Sequence, residues 1–218
     1  MTALNPVIGR FVGSVKEDWL DFMLAHIVPM LTVKRVLAKV VAITDETQDI
    51  KRFVLQPNKH WQGFQAGQFV SVRIMINGSF HERCYSLVSA PTDSVIELGI
   101  KRQPKGKVSN WMHDNLNIGD VIELGAVGGE FVLPTSLPNK MLLIAGGSGV
   151  TPIYSLLVEA LKRQPNADIS VVYYVNTDRD LAFGNEMVEL ATKHRSLKLQ
   201  YVLATSGSGT LSDWTIQS

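Results

Sequence analysis

Between residues 36 and 134 the apolar positions come in short bursts, and their spacing is that of strands. Phe69-Val70-Ser71-Val72-Arg73-Ile74 alternates at every second residue, the period of a half-buried β-strand. Asn77-Gly78 follows, a pair that accepts left-handed backbone and therefore favours a two-residue hairpin turn. Further apolar runs at 52–55, 85–88, 95–100 and 121–126 are separated by glycine and proline, so about six short strands are expected, arranged as a small antiparallel barrel.

After Pro138 the period changes. Met141-Leu142-Leu143-Ile144-Ala145 is a continuous apolar run of the kind that forms a parallel strand buried on both faces. Ile153, Leu156, Leu157, Ala160 and Leu161 then recur at i, i+3, i+4, i+7 and i+8, one stripe of a helix that ends before Pro165. Thr151 is the expected N-cap of that helix and Pro152 its first residue. Strands at 169–175 and 197–203, with a helix near 186–193 between them, complete a βαβαβ unit. The predicted fold class is thus β plus α/β: a six-stranded antiparallel barrel, then part of a doubly wound parallel nucleotide-binding sheet. Sheets of that class commonly have five or six strands, so the three read here imply an incomplete second domain or an edge covered by something else.

The expected boundaries are an N-terminal arm over 1–31, the barrel over 32–136 and the α/β unit over 137–218. Trp19, Leu20, Phe22, Met23, Leu24 and Ile27 give the arm a loose helical stripe, which must dock on its own domain, on a partner or on a membrane surface.

Composition narrows the partners. A net charge of +1 in 218 residues supplies no basic face for nucleic acid or a broadly anionic membrane. With 45% hydrophobic and 19% charged residues the chain can bury a core. A single cysteine, Cys84, excludes an intrachain disulfide and any multi-thiolate metal centre, and suits a reducing cytoplasm. The early apolar stretch 27–43 is broken by Lys34, Arg35 and Lys39, which argues against a membrane span, and the start lacks the order of a secretion signal.

Three segments carry chemistry. Arg83-Cys84-Tyr85-Ser86, placed at the start of a strand, projects Arg83 and Tyr85 to one side and Ser86 to the other, so a guanidinium can meet a phosphate while a phenol lies on a flat ring. The basic stretch 101–109 ends in Gly106-Lys107-Val108-Ser109 before a short helix at 110–116. With Ser109 as its N-cap, that turn aims backbone N–H groups at an anion. Ala145-Gly146-Gly147-Ser148-Gly149-Val150-Thr151-Pro152 joins a parallel strand to a helix, where open α/β sheets receive cofactors, although it is not the G-x-G-x-x-G fingerprint.

In combination, and with 66–69 (Ala-Gly-Gln-Phe) and 128–131 (Gly-Gly-Glu-Phe), these motifs resemble the successive signatures of the ferredoxin-NADP reductase superfamily, in particular its bacterial oxygenase-reductase and flavohaemoprotein-reductase branch. The resemblance runs from about residue 36 to 213. It implies an NAD(P)H-dependent flavoprotein with FAD and NAD(P)H as cofactors. Arg83 would bind a flavin phosphate, Tyr85 would lie against the isoalloxazine, and Ser86 would hydrogen-bond near N5, which makes Tyr85 and Ser86 the residues nearest the chemistry. Lys101 and Gly106 to Ser109 (Gly106, Lys107, Val108, Ser109) would hold the diphosphate. Gly147, Gly149, Thr151 and Pro152 would approach the nicotinamide dinucleotide, with Asn176 and Arg179 near its adenosine. The implied electron acceptor is a ferredoxin or a fused 2Fe-2S domain that serves an oxygenase or a membrane-bound desaturase, with the protein cytoplasmic or peripheral to the inner face of the membrane.

Two departures from the family pattern bear on function. The chain has neither the family's later strands nor its Cys-Gly-Pro segment, so a flavin-binding relay or redox sensor that does not itself use nicotinamide is the alternative reading. Asn176 stands where many relatives carry an arginine, with Arg179 three residues on, which leaves NADH against NADPH open. Cys84 is expected to be a buried structural thiol, and His81, His113 and His194 ordinary surface or hydrogen-bonded histidines, His81 being the nearest to Arg83.

Overall fold

The computed structural model describes residues 30, 32 and 34–204. The expected arm over 1–31, apart from residue 30, and the glycine-serine loop at 206–209 lie outside the described residues. The first lobe holds β1 (Val36–Asp45), β2 (Ile50–Pro57), β3 (Phe69–Ile76), β4 (Ser79–Ser86), β5 (Ile96–Lys101), α1 (Lys107–Asn115) and β6 (Val121–Gly128). Its antiparallel sheet runs β4-β3-β6-β1-β2-β5. Register shifts between Val40 and Ala42 and between Val70 and Val72 mark bulges, which bend strands and help curl the sheet.

Alternation sets the inside of this barrel. On β3, Val70, Val72, Ile74 and Ile76 are buried while Arg73 and Met75 face out. Asn77 (φ 50°) and Gly78 (φ 75°) are both left-handed, the requirement of the tight hairpin read from the sequence, and they set the pairing of Ile76 with Ser79. α1 closes one part of the barrel by inserting Val108 and Met112, with Leu116 just after it, into the cluster formed by Phe53, Leu55, Leu98 and Ile100.

The second lobe is β7 (Lys140–Gly146), a 3₁₀ turn (Gly147–Gly149), α2 (Val150–Arg163), β8 (Asp168–Val175), a 3₁₀ turn (Asp178–Asp180), α3 (Gly184–Lys193) and β9 (Leu197–Leu203). Its three strands are parallel, in the order β7-β8-β9. Successive crossovers in one direction put α2 and α3 on the same face, over Ile169, Val171, Tyr173, Leu199 and Tyr201. The opposite face is open among the described residues: Leu142 is 61% exposed, Ile144 58% and Tyr174 48%. Among the described residues β7 is therefore not the doubly buried strand that its unbroken apolar run predicts, because only one of its faces meets a helix there.

The lobes share a core. Ile50, Ala66 and Val88 of the barrel pack in the same cluster as Ile153, Leu156 and Phe183. Ser155 Oγ donates to the carbonyl of Ser89 at 3.1 Å in a buried contact.

Candidate flavin and nicotinamide site

The site begins where the barrel fails to close. Leu87 and Leu98 make an isolated antiparallel bridge between the two edges of the sheet, and the amide of Val88 donates to the carbonyl of Glu97 at 2.8 Å. Before residue 87 on one side and after residue 98 on the other, β4 and β5 diverge. A cleft of about 460 Å³ occupies the gap, within the range of small-molecule sites. Arg83, Tyr85 and Ser86 line it from β4, Gly99 and Lys101 from β5, Gly106 to Ser109 from the start of α1, and Ser148 and Thr151 from the second lobe. Three separate sequence motifs thus share one wall.

Arg83 and its neighbours stand at the end of β4, not at its beginning. β4 is a polar edge strand, with Ser79, Phe80, Glu82, Arg83 and Cys84 all exposed, so its first half carries no apolar signal. Arg83 donates to the carbonyl of Glu82 and, among the described residues, has no carboxylate partner, which leaves its charge available to an anion. Tyr85 is half-buried, and burial pushes its phenol up to about 12 against the opposing pull of Arg83, so it stays a neutral donor. Cys84 is exposed, contrary to the buried thiol expected: its pairing opposite Ser71 puts it on the face away from Arg83 and Tyr85. His81 shares the face of Arg83 and Tyr85 and is half-buried, and its Nε2 has no hydrogen-bond partner among the described residues. His113 and His194 do accept ordinary roles, on the carbonyls of Ile100 (2.7 Å) and Pro165 (3.3 Å).

The anion-binding turn differs in detail from its prediction. α1 starts at Lys107 with Gly106 as N-cap, and Ser109 lies inside the first turn. The Ser109 hydroxyl instead accepts the amide of Gln103 at 3.2 Å, tying the loop to the helix it precedes. The first helical bond runs from the amide of Asn110 to Gly106, so the N–H groups of Lys107, Val108 and Ser109 precede the ladder and point out of the helix end. Gly106 is required by space: a Cβ there would stand 2.5 Å from Ser109 Oγ and 2.8 Å from Gln103 Cβ. Lys101 reaches the cleft but pairs with Asp49 at 3.1 Å.

In the second lobe α2 starts at Val150, one residue before the expected cap, because the glycine turn is itself a 3₁₀ helix that runs into it. Thr151 is a first-turn residue whose hydroxyl donates to the carbonyl of Ser148 at 3.0 Å, and Pro152 follows where no backbone donor is needed. A Cβ at Gly146, Gly147 or Gly149 would meet nothing within 4 Å. Packing does not demand glycine at these positions; what it leaves is an open backbone that a ligand can approach closely.

The remaining predicted residues separate. Gly147 and Asn176 line a smaller crevice of about 140 Å³ with Lys101, Asp49, Tyr174 and Asp180, at the carboxyl ends of the parallel strands. Arg179 lines a different hollow, beside Asp45, Glu46, Glu186 and Tyr201. Gly149 and Pro152 line neither of these spaces. Gly99 of the main cleft was not singled out in the sequence, since nothing in a strand glycine marks it, and Ser148 was read only as part of the glycine turn. No three-residue cluster able to hold a metal ion occurs among the described residues, and none of their helices is long and apolar enough to cross a membrane.

A barrel slot with an arginine that has no carboxylate partner among the described residues and a free helix N-terminus, joined to an α/β unit with an open glycine turn, is the arrangement expected of a two-lobed flavin and nicotinamide protein. Residues 37–132 match the oxidoreductase FAD-binding domain family and residues 143–217 the oxidoreductase NAD-binding domain family. The chain belongs to the ferredoxin-NADP reductase superfamily, with one FAD-binding and one NAD-binding domain. It is 28% identical over 215 residues to an NADPH oxidoreductase of Mycobacterium tuberculosis, covering 96% of this chain and 55% of that protein. It is 31% identical over 166 residues to the glycine betaine monooxygenase reductase subunit of Chromohalobacter salexigens, covering 74% and 45%. An Amycolatopsis cytochrome P450 reductase has a similar structure, with a TM-score of 0.71 and 31% identity over 78% of this chain and 52% of that one. The chain spans about half the length of these relatives.

Proposed function

We propose that the protein is a reductase in which hydride leaves NADH or NADPH at the junction of the two lobes and electrons continue to an external acceptor. The observation that carries this reading is that Ser86 of the barrel and Thr151 of the α/β unit line the same cleft. When bound, FAD supplies the step the protein cannot perform, taking two electrons as hydride and passing electrons on singly. Arg83 and the N–H groups of Lys107, Val108 and Ser109 hold the diphosphate by charge and oriented dipoles. Tyr85 and Ser86 position the ring, with the Ser86 hydroxyl offered near N5. The turn from Gly147 to Thr151, including Gly149 and then Pro152, lets the nicotinamide nucleotide approach, and Asn176 lies on the side where its adenosine would extend. Arg179, which faces another hollow, is left without a direct role in this reading.

The acceptor we infer is an iron-sulfur carrier, a ferredoxin or a fused 2Fe-2S domain, that feeds an oxygenase or desaturase. Support comes from the names of the relatives, one a reductase subunit of a monooxygenase and one a cytochrome P450 reductase. A second reading, a flavin relay that does not use nicotinamide, is favoured by the face of the parallel sheet at Leu142 and Ile144, which is exposed among the described residues. One experiment separates them. The purified protein is expected to be yellow and to bleach on anaerobic addition of NADH or NADPH; yellow protein that does not bleach favours the relay, and protein that stays colourless with added FAD overturns both.

A further inference from the structure

A polar cluster outside the cleft lies where the lobes meet, centred on Arg52 of β2. Its guanidinium forms ion pairs with Glu46 at 2.6 Å and Glu97 at 3.5 Å in its own lobe, and with Glu186 of α3 in the other. The same group lies over the ring of Phe183, 4.7 Å from the centroid. Phe183 donates its amide to the Glu46 carboxylate at 3.1 Å and stacks on Tyr154 of α2 at 5.4 Å.

Several features mark this cluster as more than a surface ion pair. Phe183 has φ 58°, a left-handed conformation that a bulky residue holds only when its surroundings impose it. Burial works against the charge of Arg52, and the bonds from Glu46 and Glu186 more than offset it. Burial pushes the Glu97 carboxyl up while Arg52 pulls it down. Only a guanidinium has the fork geometry to serve several carboxylates and an aromatic face at once.

The cluster also connects to the cleft. Arg52 is paired with Gly99 across β2 and β5. A Cβ on Gly99 would stand 2.6 Å from Thr151 Cγ2 and 3.0 Å from Phe183 Cζ, so the two lobes touch through the absence of a side chain. Gly99 and Thr151 both line the cleft. Direct contacts therefore run from Arg52 through Phe183 and Gly99 to Thr151.

We propose that Arg52 is a positioning residue that clamps α3 to the barrel through Glu186 and Phe183 and so sets how closely the start of α2 approaches the flavin slot. The inference rests on the reductase reading above, since it assigns Arg52 to the geometry of that same hydride transfer. Arg52 touches none of the reacting groups. Its effect is one of distance, and transfer between bound reactants falls steeply when they are displaced by about 1 Å.

The test compares Arg52→Met, Arg52→Lys and Glu186→Ala with the parent chain. Glu186→Ala removes the ion pair between the lobes and leaves those to Glu46 and Glu97 in place; its side chain is 34% exposed against 16% for Arg52, so folding depends on it less. FAD content is read by absorbance, the limiting rate of anaerobic flavin reduction and the apparent Kd for NADH and NADPH by rapid mixing, and lobe coupling by hydrogen exchange of residues 147–156 and 183–190. The expected result for Glu186→Ala and Arg52→Met is retained FAD, a limiting rate lower by about 10- to 100-fold, little change in Kd and faster exchange in both segments, with Arg52→Lys intermediate. An unchanged limiting rate, a loss of nucleotide affinity alone, or unchanged exchange overturns the proposal. If the parent chain holds FAD and neither nucleotide bleaches it, the reductase reading fails, and the exchange comparison alone decides whether the clamp exists.

Discussion

Leu87 and Leu98 form the last backbone bridge between the two edges of the barrel, and the separation of β4 from β5 beyond it creates the cleft. Arg83, on the divergent side, is the charge best placed to hold a phosphate there. Arg83→Ala is expected to weaken FAD binding by ~1.5–3 kcal/mol, the worth of a hydrogen bond to a charged group. Titration of apo-protein with FAD, followed by flavin fluorescence, checks it; unchanged affinity removes Arg83 from the site.

Gly106 faces a different constraint, since a methyl group there collides with Ser109 Oγ and Gln103 Cβ. Gly106→Ala must shift the first turn of α1, so FAD affinity should fall while the barrel remains folded. Equal losses of melting temperature and affinity would instead make the defect one of folding.

Cys84 is exposed at the rim of the cleft. Alkylation by a thiol reagent, followed by mass spectrometry, should be rapid in the apo-protein and slowed by saturating FAD, because reactivity follows access. Equal rates in both forms would mean that the flavin does not occupy this cleft.

His113 is buried, with Nε2 at 2.7 Å from the carbonyl of Ile100. Burial lowers its pKa below the ordinary 6.5, and the nearby Arg102 and Lys51 add to the effect. Protons are then taken up more readily by the unfolded chain, so the stability tied to neutral His113 is present above about pH 6.5 and lost as the pH falls below it. Denaturant melts at pH 7.5 and 5.5 should show that loss, and His113→Gln, which keeps a donor for Ile100, should reduce it. A pH dependence identical in the two proteins would count against this origin.

Gly67 explains why the 66–69 motif exists without assigning it a ligand. Its φ is 90°, and a Cβ would stand 2.0 Å from the carbonyl oxygen of Phe131. Next to it, the ring of Phe69 lies where side chains on Gly128 and Gly129 would be, at 3.1 and 3.2 Å. Two motifs distant in sequence are thus one packing joint. Gly67→Ala should cost about 1–3 kcal/mol through overpacking and strained backbone, read as a lower denaturant midpoint.

Periodicity and turn chemistry were enough to derive β3, the Asn77-Gly78 hairpin, the apolar stripe of α2 and the span of β9, because each depends on neighbours a few residues away. Local signals also marked Arg83 to Ser86, Gly106 to Ser109 and the glycine turn as places where backbone or charge is left over for a ligand. They could not decide that Cys84 is exposed, that one face of β7 is open, or that α1 and α2 begin earlier than their capping residues suggest, since those outcomes depend on which elements pack alongside. Least legible was Arg52, one more charged residue in a strand until tertiary contact brings Glu46, Glu97, Glu186 and Phe183 around it. Residues 134 and 137 positions apart meet there, and the energy of such a meeting is a property of the assembled fold and of no stretch of chain.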